Sequence, residues 1–184
     1  MLLPELLAAC DATPQRTVEN TTVNLNKACN VLAVWDRRFN SESRGAVLFR
    51  EWITQYPADE TSLGSSLFQQ PFNPMEAATT PTGLANTELA LDRLARAVLL
   101  LEDEGIALDT ALGNLQIGHR SERQYPIHGG NRHEGIANLQ MSTTVGNNPT
   151  ETPVFTGSDE FAGDSKGLSK SGYNVVHGSS FIMT

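Results

Sequence analysis

Apolar residues recur at helical spacing in four stretches of the first 105 positions. Residues 2–12 form a short apolar run that Thr13 and Pro14 close, since proline has no N–H for the next intrahelical hydrogen bond. Residues 24–36 set Leu25, Cys29, Leu32 and Val31 on one face, with Ala28 and Trp35 beside it. Residues 41–55 carry Ala46, Val47, Phe49, Trp52 and Ile53 up to a stop at Pro57, and Ser41 is read as an N-cap whose hydroxyl accepts a first-turn N–H. The longest stripe covers residues 84–104. Leu84, Leu91, Leu94, Val98 and Leu101 form its spine, Leu89, Ala97 and Leu100 widen it, and Gly105 stands where a left-handed residue ends a helix. Leu94 and Val98, at its centre, are expected to be buried. Glu102, Asp103 and Glu104 oppose the helix dipole, so this end frays or its charges find partners.

Beyond Gly105 the period shortens. Residues 115–117, 125–127, 135–139 and 173–183 read as short strands between glycine turns. Residues 57–83 are a Pro/Ser/Thr-rich connection whose Leu67, Phe68 and Phe72 are expected to pin onto the helices. Residues 142–172 are so polar that they read as a long surface excursion. The pattern predicts an α+β fold: a mostly helical part of about four helices over residues 1–105, then short β-strands and a long polar loop over 106–184. Val175, Phe181 and Met183 alternate with period 2 in a strand that no turn or polar tail closes. The chain is therefore expected to be a piece of a longer polypeptide. An open strand of this kind either pairs with residues 135–139 or associates with a second copy into a homodimer; the alternative is full pairing inside the monomer.

Composition narrows the function classes. The net charge of −8 argues against binding to nucleic-acid phosphates, and the pair Arg37 and Arg38 is too small a basic cluster to reverse that. No apolar run reaches the ~20 residues of a membrane span. The opening Met1-Leu2-Leu3-Pro4-Glu5 lacks the basic start of a signal peptide. Charged residues make up 18%, below the usual ~25%, which suggests that some of the surface is normally covered. Cys10 and Cys29 form no C-x-x-C pair. They read as two buried free thiols or, in an oxidising compartment, as one bridge between neighbouring helices.

Candidate chemistry is sparse. His119, His128, His133 and His177 are the only histidines, and the run from His128 to Glu134 matches neither a zinc-protease nor a zinc-finger spacing. Gly129 and Gly130 mark a turn there, with His128 expected to bond locally. Ser179 and Ser180 do not fit a nucleophile elbow, and Ser169, Lys170 and Ser171 read as solvated loop. Glu102, Asp103, Glu104 and Asp109 read as a solvated face. No glycine-rich phosphate cradle follows a strand. From the residues alone no catalytic, cofactor-binding or metal-binding residue is assigned, and no cofactor is expected.

Five segments nonetheless resemble the penicillin acylase (penicillin amidase) family of N-terminal-nucleophile hydrolases, in its aculeacin and acyl-homoserine-lactone acylase branch. Residues 28–36 (ACNVLAVWD) resemble a helix ending in a Trp-Asp pair, and residues 43–52 (SRGAVLFREW) the helix that follows. Residues 108–116 (LDTALGNLQ) look like "LDxPLGxxQ", residues 125–130 (YPIHGG) like "IPIHGG", and residues 175–181 (VVHGSSF) like a late strand "VxHGSSY". Residues 118–121 depart from the family's usual turn. The resemblance implies amide hydrolysis by an autoprocessed heterodimer. Its nucleophile is a serine freed at the start of the β chain, with its own α-amine as base and an oxyanion hole of backbone N–H and asparagine. Neither Ser43 nor Ser180 fits that role. The chain thus looks like the later β chain: 1–105 its helical domain, 106–184 strands returning to the αββα core. The implied partners are the rest of the α and β chains and a small acyl-amide substrate. The implied compartment is the periplasm or the exterior. The rival reading is an independent, non-enzymatic binding module.

Overall fold

The computed structural model describes residues 2–56, 67–120, 123–131, 134, 136, 138–141, 162–165, 167–169, 172–173 and 175–178. It is an α+β structure of helices and short antiparallel strand pairs. Two compact units share the chain. The first comprises Met1–Val34 and Leu48–Leu108, the second Trp35–Val47 and Asp109–Thr184.

In the first unit, helix α1 (Leu3–Ala12) buries Leu3, Leu6 and Cys10, and helix α2 (Asn26–Val34) buries Ala28, Cys29 and Leu32. Between them lies a hairpin that the pattern did not announce. Strand β1 (Gln15–Val18) pairs antiparallel with β2 (Thr21–Asn24), from Gln15 opposite Asn24 to Val18 opposite Thr21. Its two turn residues, Glu19 and Asn20, have φ of 51° and 64°. Positive φ at both centres is the mirror-image turn whose twist matches a hairpin. Each strand buries one residue, Val18 and Val23, and Arg16 clasps the hairpin to the long helix through Asp92 and Glu88, both at 2.6 Å. Hydrogen bonding to Asp92 first, then Glu88, raises the Arg16 pKa, so the guanidinium stays charged throughout.

Helix α3 (Ala46–Thr54) starts later than residue 41. Gly45 has φ of 104°, a conformation that interrupts a helix, and a Cβ there would meet the Trp35 side chain at 2.8 Å. Ser41 is therefore no N-cap; its hydroxyl bonds Glu42 at 2.9 Å. In the first unit α3 buries Leu48, Arg50, Glu51, Trp52, Ile53 and Thr54 and leaves Phe49 half-buried, so the one-sided apolar stripe understated its burial.

Strands β3 (Phe68–Gln70) and β4 (Thr82–Leu84) pair around a short 3-10 turn at Pro74–Glu76. Leu67 is buried as expected, whereas Phe68 and Phe72 are half-buried. Leu84 thus belongs to a strand, and helix α4 (Thr87–Asp103) begins after Asn86, whose side-chain oxygen accepts the Leu89 N–H at 2.9 Å. The stripe is otherwise as read. Leu91, Leu94, Val98 and Leu101 are buried, while Leu89 turns to solvent. Gly105 takes φ of 68°, and the Ile106 N–H reaches back to Leu101 at 2.7 Å. Glu102 and Asp103 are exposed and Glu104 is half-buried.

The second unit is built from short strands: β5 (Ile117–Arg120) with β6 (Arg123–Pro126), β7 (Leu139–Met141) with β10 (Val175–Gly178), and β8 (Leu168–Ser169) with β9 (Gly172–Tyr173), each pair antiparallel. The terminal strand pairs next to the expected region, Gly178 opposite Leu139 and Val175 opposite Met141, with an irregularity between Val175 and His177. Phe181 and Met183 lie outside the described residues. The reading of 142–172 as surface excursion needs correction in its last part: Ala162, Ser165, Leu168 and Ser169 are buried. The Ser165 hydroxyl accepts the Leu168 N–H at 2.9 Å, closing a turn that folds this polar sequence inward.

Candidate functional site

The second unit holds residues from all five segments singled out by sequence, and hydrogen bonds join four of them into one framework. Trp35 packs edge-on against Phe39 with ring centroids 5.5 Å apart, and its Nε1 donates to the Arg38 carbonyl at 3.0 Å. Asp36 holds the turn that follows: one carboxylate oxygen accepts the Arg38 N–H and the other the Ser43 hydroxyl, both at 3.0 Å. Ser43 in turn accepts the Asn40 N–H at 3.2 Å. Ser43 is buried and faces a carboxylate and a backbone amide, and its hydroxyl serves as a strut between them.

That strut presents three backbone carbonyls. Ser41 accepts Gly113 N–H at 2.7 Å, Ser43 accepts Leu112 N–H at 3.1 Å, and Phe39 accepts Gly129 N–H at 2.6 Å. Arg44 pairs with Ala111 and donates to the Asp109 carbonyl at 2.9 Å. Gly113 must be small here, since a Cβ would lie 2.8 Å from that of Pro126 and 2.9 Å from that of Ser41.

Gln116 is the centre of this framework. It is fully buried, and its amide donates to the Ile127 carbonyl at 2.8 Å and to the Gly129 carbonyl at 3.1 Å. Its own carbonyl accepts the Ile127 N–H at 2.7 Å, so the segments 108–116 and 125–130 are bound through one residue. Asn138 and Glu134 complete the loop, accepting the N–H groups of Gly130 at 2.9 Å and Asn131 at 2.7 Å. These two acceptors and Phe39 escaped the sequence reading, because a lone Asn or Glu in a polar stretch carries no periodicity.

Several sequence candidates fall elsewhere. His128 is exposed beside the Gly129 turn, where φ is 107°. The side chains of His119, His133 and His177, and all of Ser179, Ser180, Lys170 and Ser171, lie outside the described residues. Ser169 corrects the solvated-loop reading: it is buried, and its hydroxyl donates to the Gly172 carbonyl at 2.9 Å. Asp109 is exposed. Among the described residues no group of three or more His, Cys, Asp or Glu could hold a metal ion, and no helix is long and apolar enough to cross a membrane. The arrangement can order backbone.

Gln116→Met keeps the volume and removes both amide donors. We expect it to destabilise the second unit by about 1–3 kcal/mol, the cost of stranding buried acceptors. A loss under about 0.5 kcal/mol in urea denaturation, the range of a surface change, would remove Gln116 from this role.

The chain matches the penicillin amidase family across residues 1–184, and it belongs to that family. It is 30% identical over 181 residues to the aculeacin-A acylase of Actinoplanes utahensis, covering 97% of this chain and 19% of that protein. It is also 31% identical over 151 residues to the acyl-homoserine lactone acylase PvdQ of Pseudomonas syringae pv. tomato, covering 79% of this chain and 18% of that one. The chain thus spans about a fifth of the length of these relatives.

Proposed function

We propose that this chain is a structural portion of an amide-hydrolysing acylase, of the penicillin, acyl-homoserine-lactone or lipopeptide acylase type. The observation that carries the reading is the framework around Gln116, where four family segments distant in sequence are bound together within one unit of a chain that matches the family from end to end. In this reading residues 1–105 are a helical domain of the β chain and residues 106–184 run toward the hydrolase core. The partners are the remaining α and β chains, and the substrate is a small acyl-amide held by the assembled enzyme. The Cys10–Cys29 bridge supports an exported parent, periplasmic or secreted, because disulfides persist in oxidising compartments.

The 184-residue chain by itself is then inactive. Its buried Ser43 is engaged with Asp36 and Asn40, and the family's nucleophile and oxyanion groups belong to segments that none of the five matched stretches resembles. Purified chain is expected to release no product from an acyl-homoserine lactone or a penicillin above the no-protein control. Turnover that disappears with Ser180→Ala would overturn this. The acylase reading itself is tested on the gene: an open reading frame around these residues without an upstream self-cleavage serine would refute it.

A further inference from the structure

The loop between β3 and β4 holds an apolar tip in water. Residues 71–79 are exposed apart from half-buried Phe72, and Pro71, Pro74, Met75, Ala77 and Ala78 leave Glu76 as the only charge among them. Met75 is 90% exposed, more than any other large apolar side chain among the described residues. The backbone beneath it is nevertheless fixed. The buried Thr80 hydroxyl accepts the Asn73 N–H at 2.8 Å, and its own hydrogen faces the Asn73 and Glu76 carbonyls at 3.2 and 3.0 Å. Asn73 Oδ1 accepts the Met75 N–H at 3.0 Å, and the Glu76 carbonyl accepts the N–H groups of Thr79 and Thr80, both at 3.0 Å. Ordering this backbone costs conformational entropy, and the exposed tip returns no burial among the described residues.

Resting on the acylase reading above, we propose that residues 71–79 are a preformed docking knob that seats Met75 in an apolar recess of the acylase polypeptide outside residues 1–184. A tip already held in one shape loses little freedom on binding, so burial of its apolar atoms goes largely into affinity. The unbranched, polarizable thioether of Met75 adapts to an irregular apolar surface. Length supplies the covering polypeptide. This chain spans 19% of the aculeacin-A acylase and 18% of PvdQ, so most of an enzyme of that size lies outside it and can cover the tip. A second copy is the poorer occupant, because two chains of net charge −8 repel each other. Glu76 shares the turn with Met75, so the recess that fits is apolar at its floor, with a hydrogen-bond donor or a cation at its rim.

The test compares the 184-residue chain with the full-length product of the gene that encodes it, each treated with hydrogen peroxide and followed by peptide mass spectrometry. The thioether takes one oxygen from the peroxide and water is released, a reaction that an accessible sulfur undergoes fastest. Met75 should oxidise as fast as free methionine in the 184-residue chain and several-fold more slowly in the full-length product. Met75→Glu should leave the urea midpoint of the 184-residue chain unchanged and lower the Tm of the full-length product, with Met75→Leu restoring it. Equal oxidation rates in the two proteins overturn the proposal. So does slowing that sets in as the 184-residue chain is concentrated, which makes a second copy the occupant. Slowing only after an acyl-homoserine lactone is added overturns it too, in favour of a ligand. The acylase reading fails separately, on a gene without the upstream self-cleavage serine.

Discussion

Trp52→Ala is expected to lower the unfolding free energy by about 3–5 kcal/mol, the range for truncating a large aromatic in a packed core. Trp52 is fully buried in α3. Its ring sits 5.5 Å from that of Phe49 and 6.0 Å, edge-on, from that of Tyr56, and its Nε1 donates to the Ala90 carbonyl at 3.0 Å. The substitution therefore opens a cavity between α3 and α4 and also removes a buried donor. Tyr56 in turn carries Arg93 over its face at 3.7 Å, so the loss spreads to a neighbouring contact. Trp52→Phe separates the two effects: it retains most of the apolar surface, and it should cost about 1 kcal/mol for the hydrogen bond beyond the smaller volume loss. Urea denaturation with an unchanged slope is the measurement. A cost below about 1 kcal/mol for the alanine variant would mean that α3 is not packed against α4 as described.

The second large effect is expected at the bridge between Cys10 and Cys29, whose Cα atoms lie 6.4 Å apart with a sequence separation of 19. Closing a loop of that length restricts the unfolded chain by about 3 kcal/mol in the loop-entropy account. The double variant Cys10→Ala/Cys29→Ala should lose that amount, and a reductant should lower the wild type to the same level while leaving the variant unchanged. What the bridge encloses is the β1–β2 hairpin. Without it the hairpin is held to α4 by Val18, Val23 and partly exposed ion pairs, and exposed ion pairs contribute only about 0–1 kcal/mol each. Two thiols titrating in the unfolded, unreduced protein would show that no bridge forms. An unchanged denaturation midpoint on reduction would show that it adds no stability.

The outcome at the cysteines also shows where sequence reading stops. Two readings stood open, free thiols or a bridge between neighbouring helices, and the structure decides for the bridge. The deciding quantity is a distance across α1 and α2, which no local pattern encodes. Between the two helices the chain passes through a hairpin of Thr-containing strands, each with a single buried residue, so alternation was too weak to read. Its turn is Glu19-Asn20 rather than the usual Asn-Gly, and only the φ values reveal it.

The helices α1, α2 and α4 were legible because burial of one face imposes a period of 3.6 on the residues themselves. The end of α4 was legible in Gly105, since backbone geometry there demands a particular residue. The family segments were legible as strings, but what they do was not. Nothing in the local sequence says that Gln116 spans Ile127 and Gly129, that Asp36 fastens Ser43, or that Ser43 and Ser41 receive the backbone of residues 112–113. Those bonds join residues up to about seventy positions apart, and they form only when the intervening chain has folded. The sequence by itself determined the α+β class, the main helical faces and the family. Tertiary structure alone decided the start of α3, the inward fold of Leu168 and Tyr173, and the framework around Gln116. The physical reason is that periodicity records which face is buried, whereas hydrogen-bond partners between distant segments are chosen by the closed shape of the whole unit.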